Sequence, residues 1–228
     1  MNIFPVTQAD NFFDNPDKVR NFGLSLDFKR SPNGRWPGER TLCVSSINHG
    51  FYEDTAMRIL RIFYPEPQDQ PNISFRADAY FQKIPKDFFN SKTHEGWIHS
   101  DYPNKLTAII YLTPSSTLNN GTSIFRLEED IFKYNNHNNE IKEAFYNNKV
   151  PDDQENLAKQ QNNSQFKEIA RVGGHYNSMV CFDSAAFHAG RDLLVDSDED
   201  RLTLVYFFKN IDALEDYPLV RSKRDFIY

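Results

Sequence analysis

His99-Ser100-Asp101 places an imidazole and a carboxylate two residues apart. On an extended chain such residues project to one face, with Cα atoms roughly 6.5–7 Å apart. From there a ring nitrogen and a carboxylate oxygen can converge on a single metal ion. A second imidazole, His188 in Phe187-His188-Ala189-Gly190, lies far downstream. Two histidines and one carboxylate form the facial set that holds a non-haem Fe(II) and leaves positions open for small ligands such as O2. Arg201 heads a later apolar run, Arg201-Leu-Thr-Leu-Val-Tyr-Phe-Phe208. Its planar guanidinium suits bidentate pairing with a carboxylate.

These groups need a rigid frame, and the hydrophobic pattern supplies one. Phe75, Ala77, Ala79 and Phe81 alternate with Arg76, Asp78, Tyr80 and Gln82, the period of a half-buried strand. Strands are read near 73–84, 95–99, 106–113, 121–127, 167–172, 177–183, 186–193 and 201–210. Short strands with turns between them, such as Asn119-Asn120-Gly121, suit a mainly β fold of two sheets, a jelly roll whose mouth holds a ligand. Residues 1–70 read as helical support. Asn15-Pro16 gives an N-cap and a first-turn proline. Phe51, Ala56, Ile59, Leu60 and Phe63 recur at helical spacing. Residues 134–165 are rich in Asn, Gln, Lys and Glu. They read as a solvated, partly helical insertion or, more sharply, as a lid whose removal would spare metal binding.

The 228 residues are 39% hydrophobic and 14% aromatic, enough for the core of one domain spanning 1–228. A net charge of −6 disfavours broad nucleic-acid binding, which needs a basic patch. The N-terminus has neither the basic nor the apolar region of a secretory signal. No apolar run approaches the ~20 residues of a membrane helix. The two cysteines, Cys43 and Cys181, give no disulfide framework, and a reducing cytoplasm fits them.

From about Phe75 to Phe208 the chain resembles the Fe(II)/2-oxoglutarate-dependent dioxygenase superfamily, most closely its prolyl 4-hydroxylase-like branch. The order carries the resemblance: His-x-Asp at His99 and Asp101, the strand bearing Tyr111, an Asn-Gly turn with Thr122, then His188, then Arg201 before an apolar strand. It implies a double-stranded β-helix, the cupin-like jelly roll, over 71–210. It implies that His99, Asp101 and His188 ligate Fe(II), that 2-oxoglutarate and O2 take the open positions, and that ascorbate supports the reaction in vitro. Arg201 and Tyr111 would bind the far carboxylate of 2-oxoglutarate, and Thr203, on the face of Arg201, would add a hydroxyl. The implied activity is hydroxylation of a C–H bond in a proline-like peptidyl residue or a small metabolite. Halogenating relatives replace the carboxylate, so Asp101 points to hydroxylation.

Rival assignments stand beside these. His175, in Gly173-Gly174-His175-Tyr176, competes with His188 as third ligand, but no arginine follows it at a suitable distance. Arg191 competes with Arg201. Tyr111 also reads as a core tyrosine, Tyr80 and Gln82 share one face of an earlier strand, and Arg126 lies at a strand end. A zinc-protease motif around His94 fails because position 98 is Ile. The second arginine of nucleic-acid demethylases would fall at position 207, which is Phe, and no Gly-x-Ser-x-Gly elbow exists. Two other classes remain: a jelly roll that binds a metal or small ligand without catalysis, and a cupin-like metalloenzyme of other chemistry. Nothing in the sequence names the substrate or the oligomeric state.

Overall fold

The computed structural model describes residues 6–63, 73–88, 96–128, 142–143, 152–193 and 198–213. In chain order the elements are β1 (Val6–Ala9), α1 (Pro16–Leu24), β2 (Glu39–Arg40), α2 (Val44–Ile47), α3 (His49–Leu60), β3 (Ser74–Ile84), β4 (Leu106–Tyr111), β5 (Thr122–Leu127), α4 (Asp152–Asn163), β6 (Phe166–Val172), β7 (Met179–Asp183), β8 (Phe187–Gly190) and β9 (Arg201–Asp212). Six strands form a large sheet in the order β1-β7-β4-β9-β3-β2, and three form a small one, β6-β5-β8. All pairings are antiparallel. The architecture is a β-sandwich of the jelly-roll kind with helices on one outer face. No helix among the described residues is long and apolar enough to cross a membrane.

Side-chain parity explains the layers. Ala77, Ala79 and Phe81 of β3, Leu106, Ala108 and Ile110 of β4, Met179 and Cys181 of β7, and Leu202, Leu204, Tyr206 and Phe208 of β9 all point outward from the large sheet. There they pack on Tyr52, Ala56, Ile59 and Leu60 of α3. Each large side chain so buried contributes about 1.5–3 kcal/mol. The alternate residues face the small sheet. Tyr111, Val180 and Phe182 meet Ile124 and Val172 there and form a second, smaller core. Asn15 caps α1 by accepting from the Lys18 amide, and Pro16 occupies the first turn, where its missing N–H costs nothing.

Three expectations change. The helical support over 1–70 also contributes β1 and β2, which add one strand to each edge of the large sheet. The strand near 95–99 reduces to an isolated bridge, His99 to His188, because side chains of α4 take the place of a ladder on its other side. Asn162 donates to the Ile98 carbonyl at 3.0 Å, Asn163 accepts from the Ile98 amide at 3.0 Å, and Asn163 donates to the Gly96 carbonyl at 3.1 Å. The insertion is therefore more than solvated at its last turns: Asn162 and Lys159 are buried, and Ala158 packs on Trp97. Most of 134–151 lies outside the described residues, and with it any test of a lid.

The connection between β4 and β5 depends on glycine. A Cβ at Gly121 would lie 1.8 Å from the Val172 carbonyl oxygen, and one at Gly174 would lie 2.0 Å from that of Asn120. Only two bare backbones pack this closely.

Candidate metal centre and adjoining pockets

His99 and His188 face each other across the bridge. Each amide donates to the other's carbonyl, at 3.0 and 2.8 Å, the hydrogen-bonded pair geometry that sets two side chains directly opposite. Their ring centroids lie 4.5 Å apart. Each ring is oriented by the carbonyl two residues earlier: His99 Nδ1 meets Trp97 O at 2.8 Å and His188 Nδ1 meets Ala186 O at 3.0 Å. A carbonyl only accepts, so Nδ1 carries a proton in both rings, and Nε2 is the nitrogen turned towards Asp101. Burial pushes His99 well below the usual imidazole range, and the positive charge of Lys142 adds to the shift, against the pull of Asp101. The ring is neutral, as a ligand must be.

Asp101 completes the group. Its Oδ1 lies 3.6 Å from His99 Nε2 and its Oδ2 lies 3.3 Å from His188 Nε2. One donor atom from each of the three residues falls within 4.8 Å of the others. Thr107 Oγ1 donates to Asp101 Oδ2 at 2.9 Å and sits 2.8 Å from Ser184 Oγ. The Asp101 amide donates to the Ser184 carbonyl, so strand β4 and the turn after β7 fix the carboxylate. Burial works hardest against its ionisation, but His188, His99 and Thr107 together outweigh burial and hold Asp101 well below the ordinary carboxylate range.

Three further residues singled out in the sequence line the space between the sheets. Tyr111 and Thr203 are direct cross-strand partners on β4 and β9, and Thr203 pairs on its other side with Gln82 of β3. Tyr111 OH contacts Thr122 Oγ1 at 2.7 Å. The Arg201 guanidinium lies 5.6 Å from the Tyr111 ring centre and donates to the Asp192 carbonyl at 3.1 Å. Asp192 adopts a φ of 39°, an uncommon conformation for a residue with a side chain. Its carbonyl also receives Asn120 Nδ2. Burial lowers the Arg201 pKa, opposed by Tyr111 and Asp192.

The rivals lie elsewhere. Arg191 faces Glu168 at 3.8 Å, and His175 meets Asp10 at 3.1 Å. Arg126 is exposed at the far end of β5 beside Glu128. Tyr80 lines the cavity beside Asp101 together with Arg40, which the sequence did not mark, and buried Gln82 accepts from the Arg40 guanidinium. Lys142, inside the polar insertion, is buried and pushed down to about 7. Burial is the main cause, Asp101 opposes it, and Arg35 and Arg40 add to it. No periodicity or motif flags either cation.

Solved structures share this fold. HygX from Streptomyces hygroscopicus, determined with nickel and 2-oxoglutarate bound, superposes with a TM-score of 0.52 at 13% identity, covering 90% of this chain and 83% of that one. The epimerase SnoN in complex with Fe3+, alpha ketoglutarate and nogalamycin RO gives 0.51 at 11% identity, over 90% and 78%. AviO1 from Streptomyces viridochromogenes Tue57 gives 0.50 at 11%, over 91% and 90%. At such identities the likeness is one of fold. No curated protein matches the sequence. The sequence does match a family over residues 3–208, and the chain belongs to it: DUF6445, a family of unknown function.

Proposed function

We propose that this protein is an Fe(II)- and 2-oxoglutarate-dependent dioxygenase with a double-stranded β-helix core. The supporting observation is the convergence of His99 Nε2, Asp101 and His188 Nε2 in a sandwich whose fold is that of HygX and SnoN. The donor set fits the ion. Bonds of about 2.1 Å at right angles put donor atoms about 3 Å apart, and here one donor atom from each residue lies within 4.8 Å of the others, a spread that binding an ion would draw inward. Two imidazoles and one carboxylate leave half of an octahedral shell open.

In this reading Arg201, Tyr111 and Thr203 bind the distal carboxylate of 2-oxoglutarate. Thr122, bonded to Tyr111, and Ile124, which pairs with His188, stand two residues apart on one face of β5. That separation is about 7 Å, a span that a five-carbon dicarboxylate can bridge. Bound there, Fe(II) and 2-oxoglutarate supply the oxidising chemistry: substrate, O2 and 2-oxoglutarate become hydroxylated substrate, succinate and CO2. The chain's own task is to fix three ligands, neutralise the distal carboxylate and keep water from the inner cavity. Thr107 holds Asp101 in its ligating rotamer, and Trp97 O and Ala186 O hold the two ring tautomers.

Hydroxylation of a proline-like peptidyl residue or a small metabolite is the finer reading, and the prolyl 4-hydroxylase-like branch is its basis. Succinate release after addition of Fe(II), 2-oxoglutarate and ascorbate tests the class. Release in the wild type and none in His188→Ala is the expected result. Iron uptake without any succinate, across a screen of peptides and metabolites, would favour a binding protein instead. A mass gain of one oxygen in the substrate would mark hydroxylation, and inversion without a gain would mark an epimerase.

A further inference from the structure

We infer that the prime substrate carries an anionic group, a carboxylate or a phosphate, that docks on Arg40 in the cavity beside Asp101. This rests on the reading of His99, Asp101 and His188 as the metal centre. The cavity has a volume of about 540 Å³, and Trp36, Arg40, Tyr80, Asp101, Asn104 and Phe207 contribute to its wall. One of its walls is thus a metal-ligand candidate, so a molecule bound in it reaches the centre.

Arg40 is held rigidly, and its hydrogen-bond acceptor is not a charged group. Its Nε and Nη2 both donate to one neutral oxygen, Gln82 Oε1, at 2.9 and 2.8 Å. Gln82 is itself locked, donating its amide to the Pro37 carbonyl. The Trp36 ring lies 4.1 Å from the guanidinium carbon, with the Phe207 and Tyr80 rings at 5.4 and 5.5 Å. Among the described residues no carboxylate comes within 4 Å of it. Crowding is enough to push its pKa down to about 10, with Asp101 the main opposing charge. A metal ion on Asp101 would spend that charge, leaving the arginine without compensation.

The other acids at the cavity cannot take its place. Asp78 is engaged by Lys209 at 2.6 Å, and Asp27 is an exposed rim residue beside Lys29 and Arg30. A desolvated, pre-oriented guanidinium between aromatic walls favours an anion on an apolar or aromatic body. Arg201 does not compete for this role, because it faces Tyr111 and the Asp192 carbonyl.

The test uses the two tryptophan indole N–H signals in proton–nitrogen NMR, with Trp36→Phe assigning Trp36. Phenylacetate, phenyl phosphate and the neutral isostere phenylacetamide are titrated into protein carrying Zn(II) and saturating 2-oxoglutarate. At least one acid should shift the Trp36 indole saturably, and the amide should bind about tenfold or more weakly. Arg40→Met should erase that preference and Arg40→Lys should restore part of it. The tighter of the two acids identifies the anion. The inference is overturned if neither acid gives a saturable shift, if the amide binds as well as both, or if Arg40→Met keeps the preference. Failure of Zn(II) uptake would instead refute the metal-centre reading, and the acid-against-amide contrast in metal-free protein would still decide the role of Arg40.

Discussion

Replacing Asn162 and Asn163 together by alanine should loosen the segment that carries His99 while leaving the sandwich folded. The pair supplies two donors, to Ile98 O and Gly96 O, and one acceptor, for the Ile98 amide. Ile98 is only 3% exposed, so water cannot fully replace these partners. A buried backbone group left unsatisfied costs about 1–3 kcal/mol. Three groups at the low end of that range give about 3 kcal/mol, borne mainly by local opening of 96–99 rather than by global unfolding. The His99 amide is the reporter, since its acceptor, His188 O, is untouched by the substitutions. In metal-free protein its hydrogen exchange should speed up by about two orders of magnitude. The Ni(II) dissociation constant, by calorimetry, should rise about 10–100-fold, the usual cost of losing an outer support. Added Ni(II) should restore much of the protection. Unchanged exchange at His99 and unchanged Ni(II) affinity would refute the claim that α4 holds this ligand, and would return the insertion to a solvated appendage.

Arg201→Met should weaken 2-oxoglutarate binding by about 30-fold or more, the effect of truncating one partner of a buried charge pair. Arg191→Met should change it little in the same calorimetric titration; the opposite ranking would mean that β9 has been assigned the wrong role. Ni(II) at 100 times its dissociation constant should stabilise the wild type by about 2.7 kcal/mol and raise Tm by about 5–10 °C. His188→Ala should lose this shift and His175→Ala should keep it, as followed by thermal scans. Thr107→Val conserves volume but deletes the donor to Asp101 Oδ2, so Ni(II) affinity should drop about 10–100-fold with little change in urea stability. An unaltered affinity would show that Ser184 and the backbone suffice to fix the carboxylate.

Much of the sandwich could be read from period-two alternation, because one face of each large-sheet strand meets the helices and the other the small sheet. The readings at 73–84, 167–172 and 201–210 fall within two residues of β3, β6 and β9. The edge strands escaped for a physical reason. Glu39–Arg40 is two residues long and Val6–Ala9 four, too short for any period to emerge, and both owe their pairing to the strand beside them. The segment at 95–99 failed differently: it lies along β8 as a strand would, but its other side is met by asparagine side chains, a tertiary substitution that no local pattern encodes.

The same distinction separates the site residues that were legible from those that were not. His99, Asp101 and His188 could be singled out because their types are rare and their order is informative, and the fold brings them together across one bridge. Thr107 was available in principle. It shares the face of Tyr111 on β4, four residues away, so parity alone places it inward on the strand that follows the ligand pair. Arg40 and Lys142 had no such marker. One sits on a two-residue edge strand after a turn-rich loop and the other in a polar insertion, where charged residues are ordinarily solvated. Each becomes unusual only after folding puts it against aromatic rings or beside a carboxylate. The proposed ligand set is thus written locally, in residue types and their order. The proposed anion site is written non-locally, in Trp36, Arg40, Tyr80 and Phe207, which come from separate stretches of the chain and meet only in the folded cavity, and for that reason a metal-centred chemistry was easier to propose from this chain than a substrate.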